Sequence, residues 1–220
     1  MISDICLDDD RQLKMTGALC RKAATNRETF RKPGREPGPR TGRSSDPFTG
    51  RRPAPLRGTE IRQLGLRDAS EYQAIFLEAL RSAPEAFAAD YEQESARGLE
   101  EVVERFQQEG IYGGFVSGRL QAIATFQRQS MPKRRHVGML WNMYVAEGQR
   151  GTGLAAALFD HVLEVASREV DQVDLYVAVE NERARRFYQR FGFESYGAMP
   201  RALRVAGADY DALMMTRMFR

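Results

Sequence analysis

From Thr59 onward the apolar residues fall into short runs whose spacing switches between strand and helix periods. TEIRQLG, residues 59–65, alternates apolar with polar and reads as a strand. Asp68 then stands where a helix cap belongs. Tyr72, Ile75, Phe76, Ala79 and Leu80 follow at a period of about 3.6, the stripe of a half-buried helix. Pro84 closes that segment. A second helix fits Leu99 to Gln108, with Val102, Val103 and Phe106 on one face. IYGGFVS and LQAIATFQ read as two strands joined by a hairpin at Ser117-Gly118-Arg119. HVGMLWNMYV, residues 136–145, reads as another strand. Beyond a glycine-rich loop, Leu154, Ala157, Leu158, His161, Val162 and Val165 recur at helical spacing. VDLYVAV predicts a strand and ERARRFYQRFG a short helix. FESYGAMPRALRV and DYDALMMTRMF predict two closing strands. Strand, helices, three strands, helix, strand, helix and two strands make a mixed α+β order, with no internal repeat.

Residues 1–58 break this pattern. Six of the chain's nine prolines and five glycines fall between 31 and 58, too few apolar groups to offset the entropy of ordering. A disordered tail is expected there, with at most a short helix around Arg11–Ala24, and a globular domain over 59–220. A start assigned too early is the competing account of the tail. Charge divides along the same line: the tail holds 13 Lys/Arg against 7 Asp/Glu, and the rest 20 against 23. The basic balance therefore belongs to the tail, which argues against nucleic-acid binding by the domain and leaves weak tail contact open. Cys6 and Cys20 have no metal or redox spacing, TGALC lacks the apolar run of a lipoprotein signal, and no run is long enough to span a membrane. A soluble, cytoplasmic protein without a metal is expected.

Candidate chemistry concentrates in two stretches. In QRGTGLAAAL, residues 149–158, Gly151 and Gly153 stand at the head of a strong helix. A helix N-terminus carries unpaired N–H groups and partial positive charge, so it can hold an anion that comes close to the backbone. Thr152 offers a hydroxyl and Arg150 a charge-assisted bond. The stretch is neither a Walker loop nor a dinucleotide fingerprint, and an ordinary glycine turn is the competing account. In NERARRFYQRFGF, residues 181–193, Asn181, Ala184, Arg185 and Tyr188 share one helical face. Phe187 and Phe191 suit a core beside it, and Gly192 is placed to end the helix. A Tyr188 packed for its ring alone is the competing account.

Together the two stretches resemble the GNAT superfamily of acetyl-coenzyme A-dependent N-acetyltransferases. The resemblance rests on Arg150-x-x-Gly153-x-Ala155 and on Asn181-x-x-Ala184-x-x-Phe187-Tyr188-x-x-x-Gly192-Phe193. It covers about residues 59–220 and is densest from Leu140 to Phe193. It implies a mostly antiparallel central sheet with helices on both faces and a splayed strand pair holding acetyl-CoA as co-substrate. Met143, Tyr144 and Val145 would pair with the pantetheine arm. The amides of Arg150, Gly151, Thr152, Gly153, Leu154 and Ala155 would take the pyrophosphate. Asn181 and Ala184 would border the arm, Asn181 by a hydrogen bond.

Acetyl transfer to an amine needs a deprotonated nucleophile, an oxyanion donor and a proton for the departing thiolate. In the resemblance Tyr188 is that acid, and a strand amide near Met143 or Tyr144 the oxyanion donor. The glutamate that some members carry on the strand before the loop is replaced here by Trp141-Asn142, so the base is unassigned. Glu180, Glu92, Glu94 and His136 are the candidates, and a water chain could serve instead. The acidic segment SAPEAFAADYEQE, residues 82–94, could draw a cationic amine or be an ordinary solvated surface. A small-molecule amine acceptor is the leading expectation. A protein or peptide acceptor, or a non-catalytic coenzyme A-binding domain, is the alternative, and homodimerisation is left open.

Overall fold

The computed structural model describes residues 58–219. The expectations of a disordered tail and of a helix near Arg11–Ala24 lie outside the described residues. A seven-stranded sheet organises the described part. Its strands are β1 (Thr59–Gln63), β2 (Gly110–Val116), β3 (Arg119–Arg128), β4 (Val137–Val145), β5 (Gln172–Ala178), β6 (Glu194–Val205) and β7 (Ala208–Met218). Their order is β1-β2-β3-β4-β5-β7-β6, and every neighbouring pair is antiparallel except β4–β5. The helices are α1 (Ala69–Ser82), α2 (Tyr91–Ser95), α3 (Leu99–Gln108), α4 (Leu154–Glu169) and α5 (Glu182–Arg190). Among the described residues no helix is long and apolar enough to cross a membrane.

Two apolar clusters cover opposite faces of the sheet. One joins α4 and α5 to Tyr112, Ala122, Phe126, Leu140, Leu175 and Met215. The other joins α1 and α3 to Ile111, Phe115, Leu120, Ile123 and Tyr144. Strand alternation produces this division: Ala122 and Ala124 of β3 join the first cluster and Ile123 the second. All five apolar positions expected on α1 are buried. On α4 the buried stripe is turned from the expected one. Phe159, Leu163 and Ala166 are buried with Leu154, Leu158 and Val162, whereas Ala157, His161 and Val165 are half-buried. Phe159 decides this, because its ring fills the space among Phe187, Tyr188, Phe191 and Phe193.

Local signals behave as their chemistry requires, with two differences. The β2–β3 hairpin closes through Ser117 and Gly118 at φ +50° and +78°, both left-handed as a tight two-residue turn demands. The β6–β7 hairpin does the same through Ala206 and Gly207. Asp68, however, does not cap α1 with its side chain. Its carboxylate accepts two hydrogen bonds from Arg62 (2.6 and 2.8 Å) and one from the Gly65 amide (2.8 Å). The short helix α2 was not expected. Its start is the Asp90 carboxylate accepting from the Gln93 amide at 3.0 Å.

Candidate active site

The β4–β5 ladder is short. It runs from Val137 opposite Gln172 to Leu140 opposite Leu175 and stops. Beyond that point β4 continues to Val145 against β3, and β5 to Ala178 against β7. Each strand keeps its outer partner and loses the other. β4 is irregular in the middle of LWNMY. Tyr144 pairs with Ile123 and Trp141 with Thr125, so β4 has one residue more than β3 there, a bulge. Asn142 stands in it at φ +51°, a left-handed conformation that asparagine tolerates better than most residues. Past the ladder's end Met143, Tyr144 and Val145 of the bulged β4 no longer pair with β5, which leaves a crevice between the two strand ends. Met143 and Val145 turn to the α4–α5 cluster, and Tyr144 turns to the α1–α3 cluster.

The glycine loop and the start of α4 follow directly on that end of β4. Gly151 and Gly153 have φ of +83° and +96°, and Gly153 is the residue before the first helical position. A side chain at either position would be strained, and no other atom occupies the space beside the Gly151 Cα. The first bond inside α4 runs from the Ala157 amide to the Gly153 carbonyl (3.0 Å). The amides of Leu154, Ala155 and Ala156 thus precede any acceptor within the helix. Leu154 is buried, so only its backbone can serve a ligand. The Thr152 hydroxyl shapes the loop, donating to the Gln149 carbonyl (2.8 Å) and accepting from the Leu154 amide (3.4 Å). The exposed Arg150 reaches back to β4, its Nε donating to the Val145 carbonyl at 3.4 Å. Loop and strand wall are therefore joined, and the donor set, backbone amides plus one guanidinium, fits a pyrophosphate.

On the α4–α5 side, Asn181 caps α5 by accepting from the Ala184 amide at 3.1 Å. Ala184 packs against the apolar cluster that includes Tyr188, Met143 and Val145. Arg185, on the same helical face, donates to the Val179 carbonyl at 2.9 Å. The helix ends at Gly192 (φ +79°). The Phe193 amide bonds the Tyr188 carbonyl (3.1 Å) and the Gly192 amide bonds Gln189 (3.0 Å), with the Tyr188 and Phe193 rings in contact. That double closure is a Schellman motif, which fixes Tyr188 from its own backbone. Burial pushes the Tyr188 hydroxyl up to about 12.

The four base candidates stand in different settings, and Glu180 alone adjoins a site residue, directly before Asn181. Glu94 is buried and paired with Arg105 (3.1 Å) and Arg97 (3.3 Å), a structural cluster. His136 is exposed beside the paired end of β4, five extended residues or about 16 Å from Trp141. Glu92 and Glu180 are exposed, on α2 and after β5. The structure brings another carboxylate to the crevice wall. Glu78 of α1 accepts from the Tyr144 hydroxyl at 2.9 Å, and Ser82 Oγ lies 3.3 Å from that hydroxyl. Burial raises the Tyr144 pKa, so it stays a donor. Glu78 was missed because it is 66 residues from Tyr144, on the polar side of an ordinary amphipathic helix.

A profile of the acetyltransferase (GNAT) family matches residues 73–193, more than half of the chain. Over 57 residues the chain is 46% identical to mycothiol acetyltransferase of Beutenbergia cavernae, covering 26% of this chain and 19% of that one. Over 104 residues it is 29% identical to the L-amino acid N-acetyltransferase AaaT of Escherichia coli strain K12, covering 46% and 64%. The chain thus spans less than two thirds of either curated relative. Among solved structures, yncA of Salmonella typhimurium, determined with its cofactor acetyl-CoA, matches with a TM-score of 0.65 at 18% identity, over 74% of this chain and 94% of that one. At that identity the likeness is one of fold. The bulged strand, the crevice behind it, the glycine loop at the head of α4 and the family profile converge, and this chain belongs to the acetyltransferase (GNAT) family.

Proposed function

We propose that this protein moves an acetyl group from acetyl-CoA to a primary amine of a small molecule, by direct attack with both substrates bound. The observation that carries the reading is the β4–β5 ladder ending at Leu140 and Leu175, directly before the glycine loop. Acetyl-CoA supplies the acetyl group as an activated thioester. The backbone of Met143, Tyr144 and Val145 pairs with the pantetheine arm as an added strand would. The amides of Gly151, Gly153 and Ala155, with the Arg150 guanidinium, hold the pyrophosphate; the Arg150 and Thr152 amides donate instead to the Glu147 (3.1 Å) and Gln149 (3.5 Å) carbonyls, and the Leu154 amide to the Thr152 hydroxyl (3.4 Å). The Asn181 side chain donates to the arm while its oxygen caps α5. An amide at Met143 or Tyr144 stabilises the charge that develops on the thioester oxygen. Tyr188, kept protonated by burial, gives the departing sulfur its proton. The name of the Escherichia coli relative, an L-amino acid N-acetyltransferase, supports a small acceptor.

Calorimetry with acetyl-CoA tests the first half of this reading, and a thiol-release assay against primary amines and peptides tests the second. Saturable binding with turnover of a small amine is expected. No heat of binding at neutral pH would defeat the reading, and turnover of peptides alone would move the acceptor to proteins.

A further inference from the structure

The opening between β4 and β5 has two differently equipped sides. On the α4–α5 side stand the apolar cluster and Tyr188. On the α1 side the same β4 segment carries the buried Tyr144, whose hydroxyl reaches a polar set. Its hydroxyl donates to Glu78 Oε1 at 2.9 Å and lies 3.3 Å from Ser82 Oγ. The Arg150 guanidinium lies 6.0 Å from the Tyr144 ring centre, and the Phe87 ring meets that ring edge-on at 6.5 Å. The end of α1 meets β4 at Ser82 and Tyr144, and the turn after it, Pro84–Ala86, packs against β5, so the end of α1 borders both strands of the opening. Glu78 is exposed, yet a buried tyrosine on the catalytic strand ties down its side chain. An anchored carboxylate facing solvent has an ordinary ligand in a protonated amine.

Given the acetyl-transfer reading above, on which this rests, we propose that Glu78 receives the acceptor: fixed by Tyr144, its carboxylate pairs with a primary amine in its ammonium form and takes a proton from it. Tyr144 is then a positioning residue that acts through Glu78. The arrangement places the proton acceptor for the nucleophile and the proton donor for the leaving group on the two sides of one opening, so that the two proton transfers use separate groups. A proton passes from the ammonium to Glu78 and on to solvent. The amine lone pair forms the C–N bond, the thioester C–S bond breaks, Tyr188 protonates the sulfur, and the amine's second proton restores Tyr188. An amide, a free thiol and one released proton result.

The test uses the full-length chain with acetyl-CoA and five amines that are protonated at neutral pH: benzylamine, tyramine, putrescine, L-methionine and L-phenylalanine. Glu78→Gln keeps an oxygen that can accept from Tyr144, so the fold should survive, which an unchanged melting temperature verifies. Its kcat/KM should fall at least about 100-fold, through the amine KM for the lost ion pair and through kcat for the lost proton acceptor. Acetyl-CoA affinity should stay within twofold of wild type. Tyr144→Phe should move the amine KM the same way by a smaller factor. Glu104→Gln, on the exposed side of α3, should match wild type. A Glu78→Gln enzyme within twofold of wild type on every accepted amine overturns the assignment. So does a wild type that binds acetyl-CoA and acetylates none of the five. A wild type that does not bind acetyl-CoA instead strikes at the acetyl-transfer reading itself.

Discussion

Two residues show how one atom's surroundings set behaviour that a bulk assay can read. Tyr188 is a buried tyrosine held by its ring contacts and by the helix end beneath it. Removing only the hydroxyl leaves those contacts. Tyr188→Phe should therefore lower kcat by about 100- to 10,000-fold, the range for loss of a general acid, while acetyl-CoA affinity measured by calorimetry is unchanged. Because its pKa is pushed up to about 12, the wild-type rate should show no alkaline loss from this group up to pH 10. Asp68 makes a prediction of stability. The hydrogen bond from Arg62, more than any other contact, holds its carboxyl below the ordinary value, against the opposing effect of burial. The folded state then binds fewer protons than the unfolded one. The stabilisation is complete above the unfolded value of about 4 and fades as pH falls through the lower folded value. Asp68→Asn should cost about 1–3 kcal/mol at pH 7, since Arg62 is partly exposed and can recover solvent. Denaturant midpoints at pH 7 and pH 3 should differ less in the variant than in the wild type.

At the scale of elements, the decisive piece is the junction of β4, the glycine loop and α4. Gly153 enters the helix at φ +96°, where a β-branched side chain is strongly disfavoured. Gly153→Val should weaken acetyl-CoA binding at least tenfold and lower the melting temperature, both measurable by titration and thermal scans. Gly153→Ala should do the same to a smaller degree. The turn and helix start of this junction were legible in the chain, because glycines before an apolar helix stripe mark a helix entry, although an ordinary glycine turn reads the same way. The strands and long helices were legible for the same kind of reason, since each buries one face and so repeats at its own period. The turned stripe of α4 was not, because Phe159 is placed by rings on α5 and not by its own helix. The helix α2 had a signal in Asp90-x-x-Gln93, but five residues are too few for a period to appear. The bulge had one too, an asparagine inside an otherwise apolar strand, although only the pairing shows what it does. Glu78 left no local trace, because its role depends on a residue from another element. Local pattern thus reports what an element needs for itself, and the crevice is made by what two elements fail to share.

The molecule as a whole sets a last expectation. Every strand of the sheet and both apolar clusters fall within residues 59–219. The sheet's outer edge on the β1 side begins with Thr59 opposite Val116, and the Gly58 carbonyl accepts from the Ser117 amide at 3.1 Å. A unit of about 160 residues buries close to 70% of the surface its unfolded chain would expose, which is enough for independent stability. A chain beginning at Gly58 should therefore fold, melt within about 2 °C of the full chain, and bind acetyl-CoA with an affinity within twofold, given stability shifts of a few tenths of a kcal/mol. Its charge should change far more than its fold. The removed segment carries 13 Lys/Arg against 7 Asp/Glu, so the formal charge moves from +3 to −3. The full chain should be retained on a cation exchanger at neutral pH and low salt, and the shortened one should pass through it. A fall of more than about 5 °C in melting temperature would mean that the first 57 residues contribute about 1–2 kcal/mol to the folded state. Unchanged melting with lost turnover would instead mean that the first 57 residues serve the reaction and not the stability of the fold.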